Sequence, residues 1–167
     1  MIDVSSYLFK ILFVLTPLIL GFSISLLFQI DKEWYKKLKK PQLIPPSIAF
    51  SIVWSILYLL FGVSMYYGIY DKSLWYWIIP VVHFSLNLSF SPVMFGMNNL
   101  LIAFIITILT LLTCVMIILQ FFNTKRFISM YLIIPYLLWL VFASYLAYDI
   151  YRLNSGGFEN STSHKKY

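Results

Sequence analysis

Five separate runs of about 20 mostly apolar residues divide this chain. Each is long enough to cross the ~30 Å hydrocarbon core of a bilayer as an α-helix, the form in which a lipid-bound backbone bonds its own polar groups. The runs lie at Tyr7–Ile30, Ser47–Tyr70, Leu74–Gly96, Asn99–Phe122 and Ile128–Tyr151. They predict an all-α integral membrane protein, a five-transmembrane-helix bundle in which residues 1–153 form one domain. Charged residues are only 11% of the chain against 61% hydrophobic, which excludes the mixed, charged surface of a soluble domain.

The first run has no small-residue cleavage pattern and is nearly uncharged ahead of it, so it reads as a retained helix rather than a signal peptide. The net charge of +6 does not point to nucleic acid, because the basic residues sit at membrane boundaries. Their distribution predicts topology instead. With five spans, Lys32, Lys36, Lys37, Lys39, Lys40, Arg152, Lys165 and Lys166 share one side, and Lys10, Lys72, Lys125 and Arg126 the other. That places the first loop and the C-terminus inside and the N-terminus outside. Usage rich in Ile, Lys, Tyr and Asn points to a bacterial cell membrane. Cys114 has no second cysteine to pair with and reads as a packing residue.

Connections between the later spans are too short to fold alone, which predicts that consecutive spans are antiparallel neighbours. Only the first loop is long. In it Asp31 can cap a short helix that turns Trp34 and Leu38 to one side, until Pro41, Pro45 and Pro46 stop it and restart the chain as the second span. Residues 31–46 read as a lid over the bundle, or else as a solvated basic loop that sets topology. The Gly/Ser/Asn-rich residues 154–167 predict a disordered tail. An acceptor-like "NST" at Asn160 lies in that inward tail and carries no weight. Gly21 with Ser25, and Ser85 with Ser89, are four apart and suit close helix contact.

Groups that could carry catalysis are sparse. His83 is alone in its span and reads as a hydrogen-bonded packing residue, and no metal site is predicted. Asp149 lies three residues before Arg152, the spacing of a boundary ion pair. Asn87 stands mid-span, where an unpaired amide costs roughly 2–7 kcal/mol, so a neighbouring helix or a ligand must bond it. Trp75 and Trp77 fit an interfacial belt. Trp54, Phe90 and Trp139 lie too deep for one. They are either packing and lipid-facing rings, or the walls of an apolar pocket for a large planar ligand with Asn87 as polar anchor.

The stretches "WYKKLKKPQLIPP" and "VWSILYLLFG" resemble the W-Y-x-x-L-x-K-P-x-x-x-P-P and V-W-x-x-L-Y-x-x-x-G motifs of the tryptophan-rich sensory protein or translocator protein family, also called the peripheral benzodiazepine receptor family. "LNLSFSPVMFG" is similar to its third-helix motif and "PYLLWLVFASYLAYDIYR" to its fifth-helix motif, in order, over about residues 7–152. The resemblance implies a five-helix bundle, often a homodimer, that binds porphyrins, sterols or synthetic isoquinoline carboxamides and benzodiazepines. By position, the cavity would be lined by Tyr35, Trp54, Asn87, Phe90, Trp139 and Ala143, and a sterol motif would fall on Leu146, Tyr148 and Arg152. Protoporphyrin IX is the implied ligand, and no cofactor is required. Some members are linked to light-dependent porphyrin breakdown, which would place catalysis on Trp54 and Trp139. Two positions depart from the pattern: Phe90 stands where tryptophan is usual, and Leu43 where K-P-x-W is common. Phe90 keeps a stacking face but lacks the indole N–H. Three functions follow: a receptor or carrier for a planar hydrophobic ligand tied to tetrapyrrole handling or stress sensing, a porphyrin-degrading enzyme, or a membrane scaffold.

Overall fold

The computed structural model describes residues 4–163, with side chains described for 5–155. Six α-helices run in order: α1 (Val4–Leu27), α2 (Lys32–Lys37), α3 (Ser47–Ile69), α4 (Ile78–Ser91), α5 (Leu100–Asn123) and α6 (Phe127–Ser163). A 3-10 turn at Leu74–Trp77 leads into α4, and a π-helical turn at Pro92–Gly96 follows it. Among the described residues, five helices are long and apolar enough to cross a membrane. The protein is a multi-pass membrane protein.

Local chemistry sets the ends. Asp31 accepts from the backbone N–H groups of Glu33 and Trp34 and so starts α2, as expected. α1 stops at Leu27, short of the predicted Ile30, and the chain is extended at Asp31 where the cap forms. Pro46 stands immediately before α3, where its missing N–H costs nothing. The Asn99 side chain caps α5 by accepting from Ile102 at 3.0 Å. Lys125 at φ 56 ends the α5–α6 turn in the left-handed region.

Close packing joins α1 to α3, α3 to α6, α6 to α5, α5 to α4, and α4 back to α1, which closes the helices into a ring. This corrects one expectation. α3 and α4 are consecutive, yet their backbones do not pack closely; long side chains bridge them across the middle. Phe61 stacks on His83 and on Phe84, with ring centroids 5.4 and 5.7 Å apart. The short connection constrains only the ends of two helices, not their flanks.

The ring is filled unevenly. Away from the first loop, Phe61, Met65, Ile69, Ile117, Phe121 and Ile133 make a solid core. On the loop side, Trp34, Leu38 and Ile44 pack down on Met94, Ala103 and Ile150, and a space remains beneath them. α1 crosses α3 at Gly62, where an added Cβ would collide with the Val14 carbonyl oxygen. Only glycine permits that approach.

The backbone also departs from the expected disordered tail, since α6 continues through Ser163. Extending an existing helix adds a bond per residue without a new nucleus, and at the start of that extension the Asn154 side chain donates to the Ile150 carbonyl at 2.7 Å. Residues 164–167 of that tail lie outside the described residues.

Candidate ligand cavity

The loop-side space is a cavity of about 570 Å³, within the range of pockets that enclose a drug-sized molecule. Five spans contribute to it, and the first loop covers it with Tyr35, Lys40, Ile44 and Pro45. α3 presents Phe50, Trp54 and Tyr58, four residues apart and so on one face. Asn87 and Phe90 come from α4, and Met94 and Phe95 from the π-turn. The π-turn follows from chemistry at Pro92: its carbonyl is bonded by Met97 five residues on, at 3.0 Å, and the widened turn swings Phe95 towards the ring of Tyr35.

Of the six cavity residues implied by resemblance, Tyr35, Trp54, Asn87, Phe90 and Ala143 line this space. Trp139 does not. The α6 stripe facing the cavity carries Leu140, Ala143, Ala147 and Ile150, and Trp139 is turned about 100° from Leu140 around the helix. It stands behind the wall, edge-to-face with Trp54 at 6.4 Å and with Phe50 at 5.6 Å. Its indole N–H is buried without a partner among the described residues.

The sterol-motif residues do not form one surface. Leu146 is buried and lines the cavity, whereas Tyr148 is exposed beside Phe104. Arg152 pairs with Asp149 at 2.8 Å, the boundary ion pair that its spacing predicts. Residues two apart on a helix face nearly opposite ways.

Asn87 finds its partner in the bundle: the Tyr58 hydroxyl donates to its Oδ1 at 2.7 Å. Tyr58, like Phe50, Met94 and Phe95, is a cavity residue that the sequence reading did not single out. Its signal was the four-residue spacing from Trp54. One turn away on α4, His83 is fully buried and hydrogen-bonded, as expected of a packing histidine. Its Nδ1 lies 3.1 Å from the Thr110 carbonyl, which can only accept, so Nδ1 carries the proton and Nε2 accepts from the Tyr136 hydroxyl at 3.1 Å. The deep wall is therefore polar but internally bonded.

At the mouth, the Lys40 ammonium sits 4.1 Å from the Tyr35 ring centre. Burial raises the Tyr35 phenol above its usual range, which keeps it a neutral hydroxyl. Lys40 is the one charged residue on the cavity lining among the described residues.

Residues 13–152 match the TspO/MBR family. The chain is 34% identical over 135 residues to a tryptophan-rich protein TspO of Bacillus cereus, covering 78% of this chain and 86% of the relative. It is 34% identical over 134 residues to an uncharacterized membrane protein, YtaB, of Bacillus subtilis, with 77% and 84% covered. A tryptophan-rich protein TspO of Archaeoglobus fulgidus is 29% identical over 147 residues, with 85% and 94% covered. The match spans all five membrane helices and every cavity-lining element, so the chain belongs to the TspO/MBR family.

Proposed function

We propose that this protein is a membrane receptor or carrier that takes a planar hydrophobic ligand, a porphyrin before a sterol, into the loop-side cavity, and that it serves tetrapyrrole handling or stress sensing. The observation that carries this reading is a cavity of about 570 Å³ walled by Trp54, Phe90 and Tyr35, with the Tyr58–Asn87 pair set into it. Flat aromatic walls favour a rigid planar body, which loses little conformational freedom on binding. A porphyrin is preferred over a sterol because Lys40 and the Tyr35 hydroxyl offer a carboxylate two donors at the mouth. We place the first loop and C-terminus in the cytoplasm of a bacterial cell, following the lysine distribution, and propose a homodimer on the family resemblance.

Titration of the purified protein with protoporphyrin IX, followed by tryptophan quenching, tests the proposal. Saturable binding that weakens in Trp54→Ala supports it; unchanged affinity in that variant removes this cavity from the account. A second reading, light-dependent porphyrin breakdown, draws on the Trp54–Trp139 contact at 6.4 Å. Loss of the Soret band under light that stops in the double Trp→Phe variant would support that reading, and the same rate in the variant would exclude it. The absence of ligand stabilisation across a porphyrin and sterol panel would leave a scaffold.

A further inference from the structure

Resting on the cavity reading, we infer that the ligand passes sideways between the cavity and the bilayer, through the seam between the last turns of α1 and the first turns of α3, while the first loop stays in place as a roof.

The cavity is covered unequally. Phe22, Ser25, Ile30, Ser47 and Ser51 line it and are also exposed, with Phe22 at 62%. All five flank this one seam. Lining residues contributed by α4, α5 and α6, and by the loop from Tyr35 to Pro45, are buried or half-buried.

The roof is fastened. The Asn154 side chain accepts from the Lys39 N–H at 3.0 Å and donates to the Lys39 carbonyl at 2.9 Å, so one amide group pairs with both backbone groups of that residue. Trp34 and Leu38 are packed on the cluster around Met94 and Ile150. Lifting the loop would break these bonds and expose that apolar surface together.

The seam resists passage far less. Its serine hydroxyls are spent within their own helices: Ser25 donates to the Phe22 carbonyl at 2.8 Å, Ser51 to Ser47 at 3.4 Å and Ser55 to Ser51 at 2.8 Å. Among the described residues, a ligand sliding past breaks no helix-to-helix hydrogen bond there. α1 is also the most peripheral span, packed on α3 along one face and with only 6% of its most apolar window buried. The backbone crossing at Gly62 and Val14 fixes α1 further along, whereas from Gly21 onward its close contacts are with the side chain of Tyr58 and, through Phe28, with Gly96, so parting the seam needs rings to turn and no backbone crossing to break. From Phe22 to the end of α1 is about 8 Å at 1.5 Å per residue, which puts the seam at the headgroup–acyl boundary. A planar molecule with a polar edge partitions to that depth.

The test uses the full chain in phosphatidylcholine vesicles, with protoporphyrin IX binding followed by stopped-flow tryptophan quenching. Ser51→Trp, which fills the seam, is expected to slow association and dissociation alike by about tenfold, whereas Asn154→Ala, which frees the roof, leaves both within about twofold. Faster association in Asn154→Ala with unaltered rates in Ser51→Trp overturns the inference. A second arm needs no ligand. Ala143→Cys places a thiol on the cavity wall, and its labelling by N-cyclohexylmaleimide, which partitions into the bilayer, is expected to slow with Ser51→Trp and not change with Asn154→Ala; the reverse pattern overturns the lateral route. Absent porphyrin binding together with seam-dependent labelling would sink the ligand reading and leave the route standing.

Discussion

The two ends of this bundle are made of the same kinds of residues and packed to opposite purposes. Away from the first loop, Ile69, Ile117, Phe121, Ile133 and Tyr136 are at most 1% exposed and fill the ring. On the loop side, Phe50, Trp54 and Phe90 are only half-buried and surround a cavity. Lipid offers no hydrophobic drive to close a hole between helices, because acyl chains are as apolar as the side chains. A cavity therefore survives where close packing elsewhere, and a covering loop, hold its walls apart. The solid half supplies stability, and the hollow half leaves aromatic surface unpacked.

The hardest blow to this division falls at the crossing between the halves. Gly62→Leu drives a side chain into the Val14 backbone carbonyl, which cannot move aside as a side chain would. Overpacking of this kind is expected to cost about 3 kcal/mol or more, read as a large drop in detergent melting temperature with loss of porphyrin binding. A melt like that of the unaltered protein would show that α1 does not pack as described.

The contrast itself is sharpened by truncating one ring in each half. Phe121→Ala removes a fully buried side chain and is expected to cost about 3–5 kcal/mol, whereas Phe90→Ala, beside an existing cavity, costs about 1 kcal/mol or less. The order should reverse for ligand affinity. Equal melting temperatures in the two variants would erase the distinction between solid and hollow halves.

Smaller again is Tyr58→Phe, which leaves Asn87 Oδ1 without its donor. A loss of about 1–3 kcal/mol is expected, since the orphaned acceptor stays largely buried. Melting curves with and without ligand would measure it, and an unaltered melt would mean that water or a ligand group replaces the tyrosine.

The mildest effect belongs to the far surface. There the Arg126 guanidinium holds Asp71 with hydrogen bonds of 3.1 and 2.7 Å and joins the turn after α3 to the turn before α6. Those bonds are the main reason that the Asp71 carboxyl lies below its ordinary value of 3.8. A depressed folded-state pKa contributes stability above the unfolded value that is lost as pH falls through the folded one. The melting temperature should therefore decline slightly on acidification below about pH 4, with a shallower slope in Arg126→Gln. Identical slopes would show that the solvent-exposed pair contributes nothing.

Much of the fold was legible in the chain. The runs of hydropathy marked the spans to within a few residues, because a bilayer imposes a length. Asp31 and the prolines predicted the short helix in the first loop and its end, because caps and missing N–H groups act locally. The Asp149–Arg152 pair was equally local. The lining of the cavity was legible where motif positions coincide with the inner face of a helix, as at Trp54, Asn87 and Ala143. It misled at Trp139 and along the sterol pattern, where sequence order says nothing of which way a residue turns within the ring.

Length, hydropathy and caps acted through neighbouring residues, so the sequence could be read directly for the number of helices, their ends and the membrane setting. Which helices touch was settled by packing across the whole ring. So were the partner for Asn87, Trp139's place behind Trp54, and the exposure of the cavity-lining residues along α1 and α3. Each depends on groups tens of residues apart meeting in space, such as Tyr58 with Asn87 and Asn154 with Lys39. No local pattern in the chain encodes those meetings.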